Sequence, residues 1–137
     1  MRKRIKIICL LTAAVLASAL SACSADEGEA KVRDLEFTVV EEKEIPQELA
    51  KLIEEKKLNE FRLTYTDDSS LYLVMGYGEQ ETGGYSISVN ACYLTETSLV
   101  FDTTLMGPSK EEIVQQKPSY PYIVVKTQKR EEPVIFQ

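Results

Sequence analysis

Histidine is absent from this chain, which leaves three cysteines, the hydroxyls and 22 carboxylates as its main chemical groups. Without imidazole there is no Ser-His-Asp or Cys-His pair, no histidine-ligated zinc and no side chain that ordinarily titrates between about pH 5 and 8. No serine is followed three positions later by lysine, so a Ser-x-x-Lys nucleophile is missing too. Gly76 to Gly84 is glycine-rich but fits neither a Walker loop nor a dinucleotide fingerprint, and it joins two expected strands without opening a helix. Asp67-Asp68 lacks the ligand spacing of a calcium loop. So many acids allow carboxylate pairs of the kind glycosidases use, but most must be surface charge. The expectation is a non-enzyme with no catalytic residues, no metal ligands and no cofactor.

The cysteine in the most informative setting is Cys23. Arg2, Lys3, Arg4 and Lys6 make a cationic start, Ile7 to Leu20 is apolar except for Thr12 and Ser18, and Leu20-Ser21-Ala22-Cys23 follows. A charged start, a short apolar stretch and small residues describe a secretory signal over residues 1–22. The stretch falls short of the about 20 apolar residues that span a bilayer. A thiol is the side chain best suited to take a diacylglyceryl group, and small Ser21 and Ala22 let a peptidase reach the adjacent bond. This is the lipobox pattern of bacterial lipoproteins, so cleavage is expected between Ala22 and Cys23, with lipid on Cys23. Two or more acyl chains, at ~0.8 kcal/mol per buried methylene, hold a protein stably on a membrane. The expected location is the outer face of the cytoplasmic membrane, or the outer membrane in a two-membrane cell, since Ser24 and not aspartate follows Cys23.

Cleavage there removes four of the 16 basic residues and none of the 22 acidic ones, leaving 115 residues with a formal charge of about −10. Such a balance opposes binding to nucleic acid and adhesion to anionic lipid by charge alone. With Cys9 removed and Cys23 acylated, only Cys92 remains, so no internal disulfide can form. Cys92 is expected as a small buried apolar residue, and a domain of this size can build its own core.

The elements that must position any site can be read from periodicity. Residues 23–33 are acidic, small and aperiodic, the signature of a tether. A single domain is expected over 34–137. Leu35, Phe37 and Val39 alternate with polar residues as in a half-buried strand. Pro46, Glu48, Leu49, Leu52, Ile53 and Lys56 spell one helix over about 46–58. Leu71 to Tyr77 is apolar almost throughout, as in a central strand. Tyr85, Ile87, Val89, Ala91 and Tyr93 make one face of the next, and a hairpin tip at Thr95-Glu96-Thr97 leads to a return over Leu99–Leu105. Residues 107–121 carry three prolines and little pattern, and loops of that length in a compact domain usually function or move. Strands over Tyr122–Thr127 and Pro133–Phe136 follow, the last marked as an edge by its proline. The fold class is mainly β (α+β): a β-sandwich or open barrel of antiparallel sheets with one N-terminal helix.

Thr82-Gly83-Gly84-Tyr85-Ser86-Ile87, the strands after it, Tyr120-Pro121-Tyr122-Ile123-Val124-Val125-Lys126 and the closing Pro133-Val134-Ile135-Phe136 give residues 73–136 a resemblance to the PrcB C-terminal family. That family takes its name from a lipoprotein subunit of an exported protease complex. The resemblance implies a membrane-anchored accessory protein that binds another exported protein, with a protease as the expected partner. Two loops depart from the family pattern: Glu81 stands where proline usually precedes Thr-Gly-Gly, and only Gly107-Pro108 remains of a Pro-Gly-Pro-Gly-like run.

The residues themselves point the same way. Glycines allow a tight turn presenting Thr82 and Tyr85, prolines stiffen the approach to the last long strand, and tyrosines are favoured contact anchors. Thr82, Gly83, Gly84, Tyr85, Tyr120, Pro121 and Tyr122 are therefore the candidate partner-binding residues, against a plain alternative of a turn and a strand entry capped by tyrosines. Two other functions are compatible with the sequence. The loop pair is similar to those of chagasin-like peptidase inhibitors, although the asparagine, arginine and tryptophan of their motifs are missing, and a surface small-ligand binder would need an aromatic cage that the sequence does not locate.

Overall fold

Leu71 to Met75 has no polar face, so a strand built from it must be covered on both sides. The computed structural model, which describes residues 29–137, covers it in that way. Strand β4 (Ser70–Tyr77) lies between β3 (Glu60–Thr66) and β7 (Tyr122–Gln128), and β2 (Thr38–Val39) completes this sheet in the order β2-β7-β4-β3. A second sheet has the order β1-β5-β6-β8, from Arg33–Asp34, Ser86–Leu94, Leu99–Met106 and Val134–Phe136. Leu71, Leu73, Met75 and Val125 face Cys92, Leu94, Leu99 and Phe101 across the space between the sheets. Tyr72, Val74 and Val124 face the other way, onto Leu49 and Ile53 of helix α1 (Gln47–Lys56). The result is a β-sandwich with a helical third layer, and the expected fold class holds.

Helix α1 forms because Leu49 and Ile53, one turn apart, are buried together, while Glu48 and Lys56 stand in the first and last turns. It is shorter than the expected 46–58, with Pro46 at the N-cap position. Across the sheet, Gly76 makes room for a ring: a Cβ there would lie 2.0 Å from Cε1 of Phe61.

Four details differ from the sequence reading. The alternation at Leu35, Phe37 and Val39 is not one strand. Residues 33–34 pair with β5 in one sheet and residues 38–39 with β7 in the other, so the chain crosses the side of the sandwich and leaves Val39 54% exposed. The face expected to carry Ala91 and Tyr93 reverses. Asn90 stands as an extra residue between the pairs Val89↔Thr103 and Ala91↔Asp102, a β-bulge that turns Cys92 and Leu94 into the core. The sheets are not wholly antiparallel: β8 runs parallel to β6, placing Phe136 edge-on to Phe101 at 5.9 Å. Finally, the chain is held before residue 34. Val32 N–H donates to the Leu94 carbonyl at 2.7 Å, and the Glu29 carboxylate accepts from the Thr95 and Thr97 hydroxyls at 2.6 and 2.7 Å. Residues 29–33 of the expected tether thus lie against the sheet edge. The expected signal segment with Ala22, the acylated Cys23 and the tether up to residue 28 lie outside the described residues.

Candidate functional site

Strand β4 ends where Gly78 takes a φ of +73°, a conformation that glycine adopts freely. The chain then leaves as loop 79–85, and at the same end of the sandwich β6 leads into loop 107–121. These segments, far apart in sequence, are stitched together by main-chain bonds. Gln80 and Ser119 exchange N–H···O=C bonds at 2.8 and 3.0 Å, and Gly83 N–H donates to the Gln115 carbonyl at 3.0 Å. The Ser119 hydroxyl donates to the Thr82 carbonyl at 2.6 Å. Tyr77 N–H reaches the Pro121 carbonyl at 3.0 Å, tying the second loop to the sheet.

The candidate residues divide by what they touch. Gly84 has a φ of +86°, and a Cβ there would stand 2.5 Å from Cγ1 of Val114 and 3.0 Å from Cβ of Pro108, so the second loop packs directly on it. Gly83 needs no such freedom: its φ is not positive, and its nearest neighbour to an added Cβ is 3.6 Å away. Thr82 turns its hydroxyl onto the Gly83 carbonyl at 3.0 Å. The Tyr85 ring lies on the backbone of Gly107, where a Cβ would stand 3.3 Å from Cε1, and with Ile87, Pro121 and Ile123 it lines a hollow of about 270 Å³.

The two later tyrosines turn toward helix α1. Tyr120 donates to the Glu79 carboxylate at 3.4 Å and receives Lys57 Nζ 5.4 Å from its ring centre. Lys57 is itself paired with Glu54 at 2.8 Å. Tyr122 is half-buried against the cluster under α1, and burial, followed by the nearby Glu42 and Glu54, pushes its phenol above its usual pKa. Tyr122 also lines the hollow beside Tyr85.

Sequence reasoning missed the most exposed apolar group here. Ile113 is 102% exposed on loop 107–121, and Met106, where β6 enters that loop, is 46% exposed. The only signal was a lone apolar pair, Ile113-Val114, within Lys110-Glu111-Glu112 and Gln115-Gln116-Lys117. Val114 turns inward onto Gly84 and its neighbour turns out. Among the described residues no cluster of three or more histidines, cysteines or acids could hold a metal. Among the described residues the one free thiol, Cys92, is buried away from this end, where desolvation pushes it up to about 11. What this end offers is apolar area, tyrosine rings and hydroxyls, the groups that make contacts.

The molecule is thus a helix-backed β-sandwich with a paired-loop surface at one end. Residues 71–128 match the family model described as PrcB C-terminal, the family that the Thr-Gly-Gly-Tyr and Tyr-Pro-Tyr elements resemble. The match runs from β4 through both loops to the end of β7 and contains all seven candidate residues. Pro133–Phe136, counted with the resemblance in the sequence, lies beyond it. No curated protein and no solved structure matches the chain. Among the described residues no helix is long and apolar enough to cross a membrane.

Proposed function

We propose that this chain is a lipid-anchored, non-catalytic binding module whose contact surface is the paired-loop end, and that its partner is a protein of an exported protease complex. The observation carrying this reading is the joining of loops 79–85 and 107–121 into one unit that leaves Ile113 bare and holds Tyr85 on Gly107. A fully solvated isoleucine contributes nothing to folding, and apolar groups presented this way fit a surface that another protein covers. The PrcB C-terminal match supports the protease-complex setting.

Anchoring through Cys23 suits this arrangement. Only five residues lie between Cys23 and Glu29, a reach of about 20 Å at most over six steps of chain. Glu29 is attached to the turn at 95–98, at the opposite end of β5 from the paired loops. Strand β5 alone is about 30 Å long by its rise per residue, so the lipid keeps the turn end near the bilayer and holds the loops away from it, toward a partner. The test is affinity purification of the tagged full chain from detergent-solubilised native membranes. A defined protein should co-purify with the wild type and be lost with Tyr85→Ala combined with Ile113→Asp, while thermal unfolding stays unchanged. Retention of the partner by that folded variant would show that another surface binds it.

A further inference from the structure

Three of the four sheet edges are blunted. Strands β1 and β2 are two residues long, and β8 is three residues long and preceded by Pro133. Short strands and proline are the usual ways an edge is kept from pairing. Strand β3 has neither protection: it runs seven residues against β4 without a register shift or proline, and among the described residues no strand lies on its outer side.

The bonds around β4 fix which groups face outward. Asp67 N–H donates to the Ser70 carbonyl, while Tyr77 N–H turns the other way to Pro121. Antiparallel alternation then directs the main-chain groups of Phe61, Leu63 and Tyr65 to β4 and leaves those of Arg62, Thr64 and Thr66 pointing out. The side chains of these last three lie on the face of their cross-strand partners Met75, Leu73 and Leu71, toward the other sheet. There they border a groove of about 440 Å³ between β3 and β8, into which Val134 and Phe136 also project.

We propose that the outer edge of β3 accepts an extended segment of a partner polypeptide as an added strand, with non-acidic side chains at its groove-facing positions. The main-chain donors and acceptors specify an extended backbone, and the groove specifies the side chains. Its basic side chains are already matched, Arg130 with Glu132 at 2.6 Å and Arg62 with Glu60 at 3.4 Å, and Glu131 lines it as well, so an added acid would find no free counter-ion. A second copy of β3 is disfavoured by charge in one of its antiparallel registers. Antiparallel pairing centred on Leu63 would bring two Arg62 side chains onto the groove face one diagonal step apart, about 8 Å. The net charge of −6 adds to that repulsion. This edge is separate from the paired-loop surface, and the two can fail independently.

The test uses the full chain and a random dodecapeptide display library as the probe, followed by amide hydrogen exchange read by NMR. In the free protein the amides of Arg62, Thr64 and Thr66 should exchange fast. Selected peptides should slow them by at least about tenfold, as expected on joining a ladder. Thr64→Pro removes an N–H that β4 does not use, and Thr64→Glu places an acid in the groove that Glu131 also lines without touching the backbone; both should abolish peptide binding, whereas Ile113→Asp should leave it intact. The proposal is overturned if no peptide is enriched, if bound peptides leave those three amides exchanging freely, or if Thr64→Glu binds as well as wild type. Protection of the same amides by self-association of the free chain would also overturn it.

Discussion

At the end of the sandwich carrying the turns 67–70, 95–98 and 129–133, each reversal is short and closed by its own side chains. The Asp67 carboxylate accepts from the Ser69 and Ser70 N–H groups at 2.9 and 2.7 Å, the Thr95 hydroxyl accepts from Ser98 N–H at 3.0 Å, and Arg130 grips Glu132. At the opposite end neither long loop is self-sufficient; loops 79–85 and 107–121 close each other. Turns that satisfy themselves can do little else. Two loops that depend on each other make a larger surface, and that end also bears the fully exposed Ile113.

This contrast can be broken by substitution. Gly76→Ala should have the largest effect, roughly 3 kcal/mol or somewhat less in chemical denaturation, because the new Cβ meets the buried Phe61 ring at 2.0 Å beneath α1. Gly84→Ala should cost about 1–3 kcal/mol through its positive φ and its contact with Val114. Its damage should concentrate at the loop end, seen as faster amide exchange at Gln80, Gly83 and Ser119. Gly83→Ala, one residue earlier, should be nearly silent in both measurements.

The turn end is the acid-sensitive one. Main-chain N–H groups of Ser69 and then Ser70 hold Asp67 below its ordinary pKa of 3.8, and the Thr95 and then Thr97 hydroxyls hold Glu29 below 4.5. A depressed carboxylate contributes stability that is present above its unfolded pKa and is lost as pH falls through its folded value. On acidification, therefore, the Ser69, Ser70 and Thr97 amide signals should shift together and Val32 should lose exchange protection. The loop-end amides should hold until global unfolding; if they move first, the contrast between the ends is wrong. The smallest effect concerns Cys92. With its thiol pushed up to about 11 by burial, iodoacetamide at pH 8 should label it only at the rate of unfolding.

Much of this layout is written locally. The run Leu71–Met75, apolar on both faces, required two covering layers, and Leu49 and Ile53 supplied one of them. The paired loops were legible because Gly83-Gly84 and Pro118 to Pro121 are turn chemistry flanking tyrosines. What escaped was set by distant contacts. No local signal marks Asn90 as the bulge that reverses the later half of β5, since its pattern is decided by pairing with β6. The change of sheet between Asp34 and Thr38 is invisible because either sheet rewards the same alternation. Tyr122 is half-buried beside α1, whereas Ile113, in a loop of little pattern, stands in solvent. Chain periodicity cannot tell which of two loop side chains turns inward.

The account depends most on the paired loops, and not the turn end, meeting a protein partner. A photo-crosslinking amino acid placed at Ile113, and in parallel at Glu96, in the full chain within native membranes tests this directly. The account predicts a discrete protein adduct from position 113 and none from position 96. Adducts from position 96 alone, or from neither, would contradict it.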